Sequence, residues 1–306
     1  MIIAYISHPS CSQHQMGTSH PESPLRLSVI EDRLIETGFD FALRHYDAPA
    51  VSCKQLERVH DPDYVEDIFR MAPVQGLKQI DEDTSMNPHT LEAALHAAGA
   101  VVMAADLVLG DETGSAFCGV RPPGHHAERA RSMGFCIFNN VAVGAAHALV
   151  HHGLQRVAIV DFDVHHGNGT EDIFRNDPRV LYCSSFQHPF YPHTDITWTS
   201  EHIIKTPLRA GDDGRQFRDA IMHDWMPALH AFEPELVLIS AGFDGHAQDD
   251  MSHLRLNDED YAWITRKIKS VADAHAGGRI ISVLEGGYHL PSLARSVAIH
   301  LSTLLG

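Results

Sequence analysis

The sequence predicts an α/β protein built on an open, mostly parallel central sheet flanked by helices. After residue 110, short apolar runs that each end in a polar cluster alternate with helical stretches. Continuous apolar runs of this length suit parallel strands covered on both faces. The 306 residues, 44% hydrophobic and 21% charged, contain no repeat, low-complexity tract or linker, so a single domain over 1–306 with a large core is expected.

Each element has a local reason. Leu27, Ile30 and Leu34 fall at helical spacing between Pro24 and Gly38, which start and stop a helix. Ser52 with Gln55 three residues on is a capping-box pattern, and Pro62 opens a further helix through Phe69. A long helix over 88–109 puts Leu91, Leu95, Ala98, Val102 and Ala105 on one face and ends before Gly110. Strands are expected over 115–120, 156–160, 180–183, 236–240 and 279–284, with helices over 140–152, 169–176, 214–232, 258–275 and 291–305. Open α/β sheets bind ligands beyond the carboxyl ends of their strands. The segments RPPGHH, DFDVHHGNGT, SAGFD and LEGGY stand at those ends.

Composition narrows the function. Lys and Arg total 23 against 40 Asp and Glu, and the formal charge of −17 disfavours nucleic acid and anionic membranes while favouring cationic partners. The apolar start, 1–6, is too short for a signal peptide and lacks a basic flank, and no uncharged apolar run approaches the ~20 residues of a bilayer span, so a cytoplasmic protein is expected. Five cysteines without a CxxC pair are expected to be reduced and mostly buried. The 24 histidines form three adjacent pairs, and since about two would arise by chance at this frequency, context decides each one.

In Asp161-Phe-Asp163-Val-His165, alternate side chains of an extended segment share a face, and Asp244 follows another strand toward the same crevice. Two carboxylates and one imidazole would neutralise Zn²⁺ and leave positions for water and substrate. The plainer alternative is that Asp161 and Asp163 cap a turn. RPPGHHA places His126 as a general base and His125 as its electrostatic neighbour, with Asp161 and Asn168 as acceptors that fix their tautomers. His151-His152 ends a helix and reads as surface. After the last strand, Glu285-Gly286-Gly287-Tyr288 either makes an ordinary turn with a core tyrosine or swings a phenol over the site as an oxyanion donor. Gly134-Phe135 and Phe190-Tyr191-Pro192 supply aromatics for loop packing or for the walls of an apolar channel.

These motifs, in this order, resemble the histone deacetylase superfamily, which includes acetylpolyamine amidohydrolases and acetoin-utilisation-type deacetylases; the class II branch is nearest. The resemblance rests on RPPGHHA, GFCIFNNVAVGA, VDFDVHHGNGT, SAGFD and LEGGY, and it extends from His20-Pro21-Glu22 to nearly the last helix. It implies a single-domain arginase–deacetylase fold and a zinc-dependent amidohydrolase acting on acyl-lysine side chains or other N-acyl amines. Asp163, His165 and Asp244 would hold zinc, Asp161 would support His125, Asn168 would support His126, and Tyr288 would polarise the carbonyl. Phe135 and Tyr191 would wall the acyl channel beside Gly134 and Gly287, with Met251 near its mouth and Arg26 near the exit for the cleaved acid. A structural K⁺ would sit around Asp161, Asp163 and His165 with backbone help near Ser184, Ser185 and Phe186.

The chain departs from the family pattern in places. Tyr191 replaces the usual phenylalanine, and Asp81 and Asp83 are candidates for the rim acid. The acidic gatekeeper of polyamine-specific relatives would fall near His253. The region before Pro88 is too short for a dimer-forming insertion, which leaves a monomer possible. A binuclear manganese ureohydrolase would need more carboxylates than Asn168 and Phe162 allow. A non-catalytic acyl-lysine binder would have lost a ligand, a tandem histidine or Tyr288, and none is missing.

Overall fold

Among the described residues, eight parallel strands form one twisted sheet in the order β2-β1-β5-β10-β9-β6-β7-β8. They are β1 (Ile3–Ser7), β2 (Leu43–Asp47), β5 (Ser115–Cys118), β6 (Val157–Asp161), β7 (Val180–Gln187), β8 (Ile203–Leu208), β9 (Leu236–Ala241) and β10 (Ile280–Leu284). A small antiparallel pair, β3 (Lys78–Gln79) and β4 (Ser85–Met86), stands apart from the sheet. The computed structural model describes residues 2–306, and Met1, the first residue of the apolar start, lies outside the described residues.

The five expected strands are all present, with ends shifted by one or two residues except β7, which runs on to Gln187. Three strands carry no sequence signal of the expected kind. β1 is the apolar start itself, and it is buried between β2 and β5. β2 and β8 are the two edges, with only one buried neighbour each, so neither needs a continuous apolar run. β8 even contains Pro207, which an edge strand tolerates because one side of its backbone has no ladder to complete.

The helices are α1 (Leu25–Glu36), α2 (Cys53–Leu56), α3 (Pro62–Met71), α4 (Thr90–Leu109), α5 (Asn140–His151), α6 (Asn168–Phe174), α7 (Gly214–Phe232), α8 (Asp258–His275) and α9 (Leu290–Leu305). Their starts obey local chemistry: Asn139 Oδ1 accepts the Ala142 N–H at 3.0 Å to cap α5, and Asn257 Oδ1 accepts the Glu259 N–H at 2.9 Å to cap α8. The pattern at Ser52 yields only the short α2, where Gln55 Oε1 accepts the Ser52 N–H. α4 is long and apolar enough to cross a membrane by length and composition, yet it packs against α5 and over β1, β5 and β10. α1, α9, α8 and α7 make a second connected layer, so the central strands are covered on both faces. Cys11, Cys118, Cys136 and Cys183 are buried free thiols, while Cys53 is exposed.

A histidine inside this core is paired at both ring nitrogens. His300 of α9 is fully buried between the Thr265 hydroxyl, 2.7 Å from Nδ1, and the Ser282 hydroxyl, 2.9 Å from Nε2. Burial lowers its pKa to about 3, and burial likewise lowers that of His60 to about 4. An unfolded histidine titrates near about 6.5, so the stability these neutral rings support is complete above that pH and is lost as pH falls toward their folded values. Urea unfolding followed by circular dichroism should therefore show stability declining below about pH 6.5, by up to about 1.4 kcal/mol per pH unit for each such ring. His300→Gln should be less stable at neutral pH but show a shallower acid slope.

Candidate active site

β5, β10, β9 and β6 are neighbours at the centre of the sheet, so the loops after their carboxyl ends meet although they are far apart in sequence. β6 stops at Asp161. Asp161 Oδ1 then accepts the Asp163 N–H at 3.1 Å, and Asp163 Oδ1 accepts the His165 N–H at 2.9 Å, two successive side-chain-capped turns. The alternation expected of an extended segment thus does not operate here. Asp163 and His165 are brought together by the turns, whereas Asp161 faces His125. Turn capping and site formation are carried by the same carboxylates.

Asp244 enters from the loop after β9, where its Oδ1 accepts the Val164 N–H at 2.9 Å. His165 Nδ1 lies 3.1 Å from both Asp163 Oδ1 and Asp244 Oδ2. One ligating atom from each of the three residues lies within 4.8 Å of the others, at exposures of 1%, 8% and 0% for Asp163, His165 and Asp244. Gly286 donates its N–H to Asp163 Oδ2 at 2.8 Å, and a Cβ there would fall on the carboxylate oxygens of Asp163 and Asp244. Burial raises both carboxyls. For Asp163 the charges and hydrogen bonds of His125 and His165 more than offset it and hold the group well below the carboxylate range. Asp244, facing the Asp163 charge as well, is pushed up to about 6. Two buried carboxylates aimed at one nitrogen form a cradle for positive charge.

The tandem histidines differ in charge because their partners differ. His125 Nδ1 lies 3.0 Å from Asp161 Oδ2, which also accepts the Tyr182 hydroxyl at 2.8 Å. Burial disfavours the His125 imidazolium, but Asp161 and Asp163 outweigh it and raise the pKa to about 10. His126 Nδ1 lies 2.8 Å from Asn168 Oδ1, while the Asn168 amide nitrogen is engaged by Glu128 Oε1 at 2.7 Å. That orientation makes Asn168 Oδ1 an acceptor, so His126 carries its proton on Nδ1 and leaves Nε2 with a free lone pair. Burial, with His125 and His165 adding repulsion, holds the His126 pKa well below the usual imidazole value.

Above these groups lies a channel of about 220 Å³ lined by Asp83, His126, Gly134, Phe135, His165, Phe190, Tyr191, Met251 and Tyr288. The structure brings Phe135, Tyr191, Met251, Gly134 and Tyr288 to this lining, while Gly287 lies outside it. Phe190 is a wall as well, stacked on the His165 ring at 5.6 Å. Phe135 has a positive φ of 68°, and the Thr84 hydroxyl accepts its N–H at 3.0 Å while Asp83 Oδ1 accepts the Gly134 N–H at 3.0 Å. Of the two rim candidates, Asp83 faces the channel; Asp81 accepts the N–H of Glu82 in its own loop. Met251 faces the channel, while His253, near which the acidic gatekeeper position is expected, packs edge-on against Phe190 and is held by Gln187 outside the lining.

Tyr288 stands at 6.0 Å edge-to-face with Phe135, and burial keeps its phenol protonated well above the ordinary range. Gly287 supports the turn with a φ of 120°. Arg26 is fully buried, donating from Nε to the Gly287 carbonyl at 2.6 Å, from Nη2 to the Glu285 carbonyl, and from Nη1 to Glu22 Oε1 at 3.1 Å. Its guanidinium also lies 5.0 Å from the Tyr288 ring, so its visible work is to hold the turn that carries Tyr288. Ser184 pairs with Asp161 across β6 and β7, but its hydroxyl lies 3.0 Å from His166 Nδ1, on whose ring Phe186 packs; Ser185 is buried beside them.

Two supporting acids escaped the sequence. Asp249 Oδ2 accepts the N–H groups of Tyr288 at 2.6 Å and His289 at 2.9 Å. Glu285 Oε2 accepts those of Gly124 at 2.7 Å and His125 at 3.2 Å. Burial raises the Glu285 carboxyl to about 7 against the opposing pull of His125. Both acids act on backbone donors on other loops, a relation with no periodicity along the chain. Phe190 did carry a signal, as the neighbour of Tyr191 in the Phe190-Tyr191-Pro192 segment.

Residues 20–304 match the family model described as the histone deacetylase domain. The chain is 37% identical to the Synechocystis protein slr0245 over 99% of this chain and all of that one. It is 38% identical to the human polyamine deacetylase HDAC10 over 93% of this chain, spanning 44% of that protein. The crystal structure of the HDA15 HD domain superposes with a TM-score of 0.93 at 31% identity, covering 100% of this chain and 90% of that one.

Proposed function

The chain belongs to the histone deacetylase family, whose arginase–deacetylase fold it has, and is thereby a deacetylase-type hydrolase; from that premise we propose a zinc-dependent deacylase of acyl-lysine side chains or related cationic N-acyl amines. The observation that carries this reading is the convergence of Asp163, His165 and Asp244 beside the free Nε2 of His126 at the floor of the channel. Two carboxylates and one imidazole are a fitting donor set for Zn²⁺, with room for substrate because the protein supplies only three ligands. Bound there, zinc would supply Lewis acidity toward water and a carbonyl oxygen.

The chain's own groups supply the rest. Phe135, Phe190 and Tyr191 exclude water from an extended acyl-amine and align its carbonyl with the floor. His126 takes a proton at Nε2 and returns it to the leaving nitrogen, its ring held by Asn168. His125, oriented by Asp161, stands beside His126 as its electrostatic neighbour. Tyr288 donates its hydroxyl to the developing oxyanion. The acidic surface, with Asp83 at the channel, favours cationic substrates. A structural K⁺ near Asp161, Asp163, His165, Ser184, Ser185 and Phe186, an acid exit by Arg26 and a cytoplasmic setting belong to the same reading through the resemblance.

Acetylpolyamines are the second reading, favoured by the negative charge and by the human relative's name, although the channel presents Met251 rather than a second acid. Zinc-loaded enzyme should be assayed against acyl-lysine peptides, acylated polyamines and small N-acyl amines, with His126→Ala as control. Hydrolysis is expected for at least one cationic class, and the control should lose most activity while keeping its zinc. If no N-acyl amine were hydrolysed by the loaded protein, the proposal would fail.

A further inference from the structure

A second set of metal-competent side chains lies where the end of α4 meets the end of α5. Asp106, in the last turn of α4, accepts on a single oxygen, Oδ1, from Nε2 of both His147 and His152 at 2.8 Å each. His151 follows His147 by one turn of α5, and their rings stack at 4.8 Å and 19°. His152 completes the group, its ring 4.9 Å from that of His151. The pair His151-His152 reads as surface in the sequence because Asp106 is remote along the chain; the packing of α4 on α5 supplies it.

We propose that Asp106, His147, His151 and His152 form a second metal site, for a divalent ion of the zinc type, that staples the ends of α4 and α5. One ligating atom from each of the four residues lies within 4.8 Å of the others. One carboxylate with three imidazoles is a complete tetrahedral donor set, structural in character because it leaves no position open for a substrate. The site also sits at the carbonyl end of α5, where the helix dipole favours positive charge.

Tetrahedral zinc needs donors about 3.3 Å apart, so the cluster must tighten. The parts that must move are free to do so: the Asp106 and His152 side chains are 50% and 22% exposed and His151 is exposed, while His147, at 4%, is the fixed anchor. Arg58 Nη1 now lies 3.1 Å from His147 Nδ1. Since Arg58 can only donate, neutral His147 holds its single ring proton on Nε2, where Asp106 accepts it. Metal binding moves that proton to Nδ1 by exchange with solvent, freeing the Nε2 lone pair for the ion, and His152 changes tautomer in the same way; Arg58, half-buried at the surface, swings away from the newly protonated Nδ1.

The full chain should be dialysed against buffered micromolar free Zn²⁺ and its metal content measured, with thermal unfolding recorded at each free-zinc level. Wild type should hold two ions per chain, His151→Ala and His147→Ala one, and Asp163→Ala one, with deacylation unchanged in His151→Ala. The zinc-dependent rise in Tm that persists in Asp163→Ala should vanish in the Asp163→Ala/His151→Ala double variant. One ion in wild type, or two retained by both His151→Ala and His147→Ala, would overturn the site. Because His151 is exposed, its variant remains folded and keeps the comparison valid.

Discussion

Asp163→Ala or Asp244→Ala is expected to abolish both deacylation and tight zinc binding at the channel floor. Each removes one of three converging ligands, and removing a Lewis acid worth several kcal/mol lowers the rate by roughly 10³-fold or more at about 1.4 kcal/mol per decade. The carboxylates also have structural duties, since Asp163 accepts the N–H groups of His165 and Gly286 and Asp244 accepts that of Val164. Asp163→Asn and Asp244→Asn retain an acceptor for those donors while removing the charge, which separates misfolding from loss of metal. Circular dichroism should report a native fold for the Asn variants, and elemental analysis should report no ion at the channel floor. Wild-type turnover with full occupancy in any of the four would remove that residue from the ligand set.

Tyr288→Phe should lower kcat by roughly 10²-fold or more with zinc retained and KM little changed, the scale of losing one oxyanion donor. The ring would keep its contacts with Phe135 and Arg26, and the backbone would keep the two hydrogen bonds to Asp249, so the variant isolates the hydroxyl. Single-turnover measurements distinguish chemistry from binding. Equal kcat in the phenylalanine variant would return Tyr288 to a packing role.

The sequence by itself determined the elements and the chemistry whose signals are local. Strands buried on both faces must be apolar along their length, which made β5, β6, β7, β9 and β10 visible, and polar motifs had to stand where those runs ended. The Asp163 and His165 pair, the tandem histidines and Tyr288 likewise stand in short local motifs, and Asp244 in one of its own after another strand. Tertiary structure alone decided what depends on neighbours remote in the chain. The edge strands β2 and β8 have too little burial to leave a pattern. Asp249 and Glu285 fix the catalytic loops through backbone donors, and Asp106 meets three histidines only because α4 lies on α5. Hydrogen bonds and metal ligation depend on distances of a few ångströms in space, whereas periodicity records only which face of an element is buried.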